Sequence, residues 1–148
     1  MNIYFICTGN TCRSPMAEAI LRSKKLPNVQ VKSAGIYAME GGEISENSRA
    51  VLTRENIYFD HTTSQVNPMD IDWADLILTM TLAHKDMILH SFPNAARKTF
   101  TLKEYVTPYS SKDVSDPFGG DIYTYSQTYE ELKKLIDELE FKITGGQP

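Results

Sequence analysis

Hydrophobic residues in this chain come in short runs separated by longer stretches with helical spacing. Residues 2–7, "NIYFIC", form an apolar run that stops at "TGN" and predict a buried strand. "SPMAEAILRSKK" follows as a helix, with Ser14 as N-cap, Pro15 at the first helical position and Glu18 in the first turn. "VQVKSAG" alternates and ends at Gly35, a second strand. "SENSRAVLTREN" predicts a second helix with Ala50, Val51 and Ile57 facing inward. Residues 74–80, "ADLILTM", are almost continuously apolar, as a strand buried on both faces requires. "LAHKDMILHSF" predicts a helix that stops before Pro93, and "KTFTL" a short fourth strand. Residues 103–123 read as a long loop carrying "SDPFGGD". A last helix, from about 124 to 143, lines up Tyr125, Tyr129, Leu132, Ile136, Leu139 and Ile143 on one stripe. The tail "TGGQP" reads as frayed.

Strands alternating with helices imply an α/β fold: a four-stranded parallel sheet with helices on both faces. Ligands of such folds bind outside the carboxyl ends of the strands. Cys7 stands at one such end. With 148 residues, no repeat and no linker, the chain is expected to be one domain, 1–148.

Composition narrows the function. Hydrophobic residues make up 41% and charged residues 23%, as in an ordinary soluble protein. The net charge of -4 weighs against nucleic acid or an anionic membrane as the main partner. No apolar run reaches the length of a membrane helix, and the N-terminus lacks the basic start of a signal peptide. A cytoplasmic location is the expectation. Two cysteines, Cys7 and Cys12, cannot make a four-ligand zinc site alone. A structural disulfide across so short a loop would add little. His61 and the helix residues His84 and His90 are scattered, and the latter two read as solvated.

The chemistry gathers between the first strand and the first helix, in Cys7-Thr8-Gly9-Asn10-Thr11-Cys12-Arg13-Ser14. Backbone amides of such a loop can turn inward, and the helix start adds free N–H groups and a positive dipole end. Gly9 permits a tight turn, and Asn10 tolerates a left-handed backbone. Arg13 supplies a planar fork matched to two phosphate oxygens. Cys7 would lie at the floor, where amides, dipole and cation favour its thiolate. A tetrahedral oxyanion held over a nucleophilic sulfur is the layout for covalent phosphoryl transfer. A Gly-Lys-Ser/Thr ending and a GxGxxG are both absent, so this is not a nucleotide-binding loop. The leaving group also needs an acid. Asp116 in "SDPFGG" is the candidate, with Pro117 stiffening the loop and Gly119-Gly120 allowing close approach. An Asp-Pro turn is the plain alternative, and Asp121 is a competing carboxylate.

"CTGNTCRSP" near the N-terminus, "SAG" at 33–35 and "DPFGG" near the C-terminus together resemble the low-molecular-weight protein tyrosine phosphatases, over nearly the whole chain. The resemblance implies that Cys7 attacks phosphorus, Arg13 binds the phosphoryl oxygens, and Asp116 serves as acid and then base. It implies that Asn10, Ser14 and Ser33 hold the loop and that Cys12 can form a disulfide with Cys7 under oxidation. It implies no metal and no cofactor. Thr8, Gly9, Asn10, Thr11, Cys12, Ser14 and Phe118 are the expected substrate-binding residues.

Within that family the chain looks most like the bacterial protein-arginine phosphatases. Thr11 stands where tyrosine-directed members usually carry another, often larger apolar residue, and Phe118 is followed by Gly119 rather than a second aromatic. "FTLKEYV" at 100–106 points the same way. The expected partners are phosphorylated proteins, and the expected state is a monomer. A tyrosine phosphatase with the same machinery is the alternative. An arsenate reductase would need relay cysteines after Cys12, and none follows. A non-catalytic phosphate-binding module would not need Cys7, Arg13 and Asp116 together.

Overall fold

The structure, a computed structural model, describes residues 1–108 and 112–145. Its strands are β1 (Asn2–Cys7), β2 (Gln30–Gly35), β3 (Leu76–Thr79) and β4 (Thr99–Thr101). All run parallel in the order β2-β1-β3-β4. The helices are α1 (Arg13–Ser23), α2 (Glu46–Arg54), α3 (Pro68–Trp73), α4 (Leu82–Ser91), α5 (Leu102–Val106) and α6 (Ile122–Ile143), with a 3₁₀ turn at Pro93–Lys98.

Strand periodicity builds the two sides of the core. Ile3, Phe5 and Cys7 of β1 point to the layer of α1 and α6, among Met16, Leu132, Ile136 and Leu139. Tyr4 and Ile6 point the other way, onto Ile71 of α3 and Ile88 of α4. β1 is therefore covered on both faces, which is why its sequence is nearly all apolar. It is also the strand where the sheet changes direction, with β2 on one side and β3 and β4 on the other. The crevice beyond its carboxyl end is where an open α/β sheet receives a ligand.

Several elements differ from their sequence pattern. α1 starts at Arg13 with Cys12 at the N-cap and no capping side chain, so Ser14 lies inside the helix, not at its cap. In α2 the buried set is Ser48, Val51 and Leu52, while Ala50 is exposed and Ile57 packs from beyond the helix end. Ser45 caps this helix by accepting from the Ser48 N–H, and the i, i+3, i+4 rule then turns position 50 outward. α3 was absent from the expected order, although Asn67 caps it and Pro68 occupies its first turn. The expected loop 103–123 begins with α5, where Thr101 and Glu104 close a reciprocal capping box. Residues 109–111 of that loop and 146–148 of the tail lie outside the described residues. Among the described residues no helix is long and apolar enough to cross a membrane.

Candidate active site

The loop after β1 is held from behind. The carbonyl oxygens of Cys7, Thr8 and Thr11 accept from the backbone N–H groups of Ile36, Tyr37 and Ser45, at 2.9, 2.9 and 3.0 Å. The Asn10 carbonyl accepts from His61 Nε2 at 2.8 Å, and the Cys12 carbonyl from the Met16 N–H at 3.2 Å. In a planar trans peptide the C=O and the next N–H point in opposite directions. Carbonyls pulled outward thus turn the following amides toward the cavity, and the first turn of α1 adds N–H groups without intrahelical acceptors. Gly35, opposite Cys7 in the sheet, makes the close fit possible: a Cβ there would overlap the Thr8 carbonyl and lie 2.9 Å from the Asn10 nitrogen. The left-handed residue of the loop is Asn10, at φ 59°, rather than Gly9.

A cavity of about 220 Å³ opens in front of these amides, lined by Cys7, Thr8, Gly9, Thr11, Cys12, Arg13, Asp116 and Phe118. Residues more than 100 positions apart in sequence thus meet at one place. Arg13 is 4% exposed and donates from Nη1 to the Val114 carbonyl at 3.2 Å. Its Nη2 lies 3.6 Å from Asp116 Oδ2. Asp116 Oδ1 accepts from the Phe118 N–H at 3.1 Å, so this residue both makes the turn and faces the cavity. Phe118 stands 80% exposed at the mouth. A larger groove of about 950 Å³ lies behind the loop, beside Ser33, Glu18 and His61, but contains neither cysteine nor Asp116.

Asn10, Ser14 and Ser33 do not line the cavity. They form a chain of hydrogen bonds beneath it. Cys7 Sγ and Ser14 Oγ are 2.8 Å apart. Asn10 Nδ2 donates to Ser14 Oγ at 2.8 Å and to Ser33 Oγ at 2.9 Å. Ser33 donates to Glu18 Oε1 at 2.6 Å, and Glu18 Oε2 accepts from Arg22 Nε at 2.7 Å. The Ser64 N–H donates to Asn10 Oδ1 at 2.9 Å, which fixes the amide's orientation. Ser14 accepts from Asn10, and its own hydrogen has two acceptors in reach, the sulfur at 2.8 Å and the more distant Ala34 carbonyl at 3.5 Å; the nearer one is the sulfur. A hydrogen aimed there has the polarity a sulfur anion requires. Glu18, expected at the helix start, is instead the buried acceptor at the end of this chain, one turn further in.

Other expectations change. Asp121 is the N-cap of α6, accepting from the Thr124 N–H at 3.0 Å, and these bonds hold its carboxyl below the usual range. It is not among the residues that line the cavity, whereas Asp116 is. Gly119, at φ 80°, serves the turn, and Gly120 packs on Thr124, so neither reaches the cavity. His84 is not solvated: it is 6% exposed, and its Nε2 lies 2.8 Å from Thr8 Oγ1. Burial, then the Arg13 charge, push its pKa down to about 4. Cys12 Sγ packs among Thr11 Oγ1, Ser45 Oγ and Tyr125 Oη at 3.5, 3.6 and 3.4 Å, and both cysteines are free thiols.

The model of the low molecular weight phosphotyrosine protein phosphatase family matches residues 2–145. The chain belongs to that family. It is a cysteine-dependent protein phosphatase. A protein-arginine-phosphatase from Geobacillus stearothermophilus is 51% identical over 98% of this chain and 97% of its own length. A low molecular weight protein-tyrosine-phosphatase, PtpB of Staphylococcus epidermidis, is 41% identical over 96% of this chain and 99% of its own. Among solved structures, the YwlE arginine phosphatase of G. stearothermophilus superposes with a TM-score of 0.96 at 50% identity, covering 99% of this chain and 94% of the other. A YwlE arginine phosphatase mutant "with phosphorylated active site serine" in place of cysteine superposes at 0.91 with 44% identity, covering 96% of each chain. The family fold is thus the four-stranded parallel sheet described above, with the phosphatase loop after β1.

Proposed function

We propose that this phosphatase hydrolyses phosphoarginine in proteins, with Cys7 as nucleophile. The observation that carries the reading is the convergence of Cys7, Arg13, Thr11 and Asp116 on one small cavity walled by loop amides. The higher identity to relatives named arginine phosphatases supports the choice of substrate. The phosphoserine at the nucleophile's place in one of them supports a phosphoenzyme.

Arg13 and the amides take the three phosphoryl oxygens, and Cys7 Sγ attacks phosphorus in line. The S–P bond forms as the P–N bond breaks. Asp116, released from its ion pair with Arg13 once phosphate occupies that guanidinium, takes up a proton from solvent and gives it to the departing nitrogen. The proton is needed because guanidine is strongly basic, its conjugate acid having a pKa above ~12. Water then attacks the cysteinyl-phosphate while Asp116 takes a proton from it. The S–P bond breaks, and inorganic phosphate and the thiolate are released. Ser14 stabilises the sulfur at both ends of the cycle.

Thr11 sets the substrate. Its hydroxyl offers a donor and an acceptor beside the path of a planar leaving group rich in N–H donors, across the same cavity from Asp116. Residues 1–148 act as one domain in a reducing cytoplasm, where Cys7 stays reduced. Phosphotyrosine is the second reading, favoured by the likeness to PtpB and by an aromatic side chain, Phe118, at the mouth. Measuring kcat/KM on matched phosphoarginine and phosphotyrosine peptides decides between them. The proposal requires the phosphoarginine value to be the larger, and a larger phosphotyrosine value overturns it.

A further inference from the structure

His84 opens the first turn of α4, on the far side of β3 from the phosphate loop's own helix. Among the described residues its side chain makes one hydrogen bond, between Nε2 and Thr8 Oγ1, and Nδ1 is buried without a partner. The imidazole is also tied in place from its backbone, where the His84 N–H donates to Thr81 Oγ1 at 3.1 Å. Two residues earlier, the Leu82 N–H donates to Asp113 Oδ1 at 2.8 Å. The start of α4 therefore touches both the loop that carries Cys7 and the loop that carries Asp116.

We infer that His84 is a positioning residue for the phosphate loop, donating from Nε2–H to Thr8 and so aiming the Thr8 hydroxyl hydrogen at the bound phosphoryl group. The inference rests on the reading of the cavity given above.

The direction of the hydrogen bond follows from the unpartnered nitrogen. A neutral imidazole carries one N–H and one bare lone pair. A buried N–H without an acceptor is rarer and costlier than a buried lone pair without a donor. The proton therefore sits on Nε2, and Nδ1 is the bare nitrogen. Thr8 Oγ1 then acts as acceptor toward the ring. Its own hydrogen must point elsewhere, and Thr8 lines the cavity. The result is a neutral donor whose direction is fixed before the ligand arrives, the kind of preorganised group that stabilises developing negative charge. The opposite tautomer would turn the Thr8 hydrogen into the protein and present only a lone pair to an oxyanion.

Neutrality is part of the device. Among the described residues three charged groups act on His84: Arg13 from α1, and Asp113 and Asp116 from the acid loop. Burial and Arg13 dominate, so the ring carries no charge across the pH range where a free histidine titrates. The bond to Thr8 thus keeps one sense wherever the enzyme works.

The test compares wild type with His84→Leu, which keeps bulk without a donor, His84→Gln, which keeps an amide donor, Thr8→Val, and Thr8→Val combined with His84→Leu. Inhibition by inorganic phosphate, KM and kcat on a phosphoarginine peptide, and thermal melting are measured for each. Imidazole nitrogen NMR of wild type gives the tautomer independently of activity. The expected spectrum is a neutral ring protonated at Nε2 from pH 5 to 8. His84→Leu should weaken phosphate binding and raise KM by about five- to tenfold, the loss of one well-placed hydrogen bond. His84→Gln should recover most of this, and on the Thr8→Val background His84→Leu should do nothing further to binding. An Nδ1–H tautomer overturns the inference. So do additive losses in the double variant, or a His84→Leu protein that melts lower but binds phosphate as wild type does. Wild type that binds no phosphate would instead bring down the reading of the cavity itself.

Discussion

Ser14→Ala isolates the contribution of the hydrogen-bond chain beneath the nucleophile. The substitution removes the hydroxyl 2.8 Å from Cys7 Sγ and leaves Asn10 Nδ2 with Ser33 as its remaining acceptor. A hydrogen bond to a charged group contributes about 1.5–3 kcal/mol. At tenfold per 1.4 kcal/mol, attack on phosphorus should slow by about 10- to 150-fold. Stability should fall too, because Asn10 is fully buried and an unsatisfied buried donor costs about 1–3 kcal/mol. The burst of leaving group in a rapid-mixing experiment reports the first chemical step. Alkylation of Cys7 by iodoacetamide at one fixed pH reports the thiolate directly. The two should fall by the same factor. Ser33→Ala, one bond further from the sulfur, should cost less in both. A folded Ser14→Ala protein with wild-type burst and alkylation rates would refute the role given to this chain.

Three other outcomes are expected. Thr11→Ile should lower kcat/KM on phosphoarginine by about 5- to 150-fold, since a polar guanidinium loses its partner at roughly 1–3 kcal/mol, and should spare phosphotyrosine; an unchanged ratio contradicts the assignment. Mild peroxide should inactivate wild type reversibly through a Cys7–Cys12 disulfide, whereas Cys12→Ser should lose activity that thiol reductant does not restore; full recovery of the variant removes that protective role. His84 stays neutral down to about pH 4 when folded and takes a proton near pH 6.5 when unfolded, so the unfolded chain binds more protons between these values. Its stabilisation is complete above pH 6.5 and declines as pH falls, by about 2–3 kcal/mol at pH 4.5. Denaturant curves at pH 7.5 and 4.5 should show wild type losing that much more than His84→Gln, and equal losses refute the assignment.

What could be read from the chain was local. Strands β1 and β3 show themselves because burial on both faces leaves almost no polar residue in them. The candidate loop is legible because Cys7, Arg13 and the amides between them lie together in sequence. Asp116 carries a turn signal, and the structure gives it both the turn contact with the Phe118 N–H and an ion pair with Arg13. The misreadings have physical causes. Ser14 before a proline looks like a cap, yet its hydroxyl is recruited by Cys7 and Asn10 instead. Two short helices, α3 and α5, hide in segments too brief for a periodic pattern, although Asn67-Pro68 and the Thr101–Glu104 box announce them. His84 and Thr8 are 76 residues apart, and no spacing rule links them. Only the parallel sheet, by setting β3 beside β1, brings them together.

The most direct measurement is the location of the phosphoryl group during turnover. Enzyme mixed with a phosphoarginine protein and quenched within the first turnover, without acid, is digested and read by mass spectrometry. The account predicts phosphate on Cys7, formed at the rate at which unphosphorylated arginine appears, and formed more slowly in Asp116→Asn, which loses the acid of the first step as well as the base of the second. Turnover of phosphoarginine with no phosphate ever found on Cys7, or with phosphate on another residue, would contradict it.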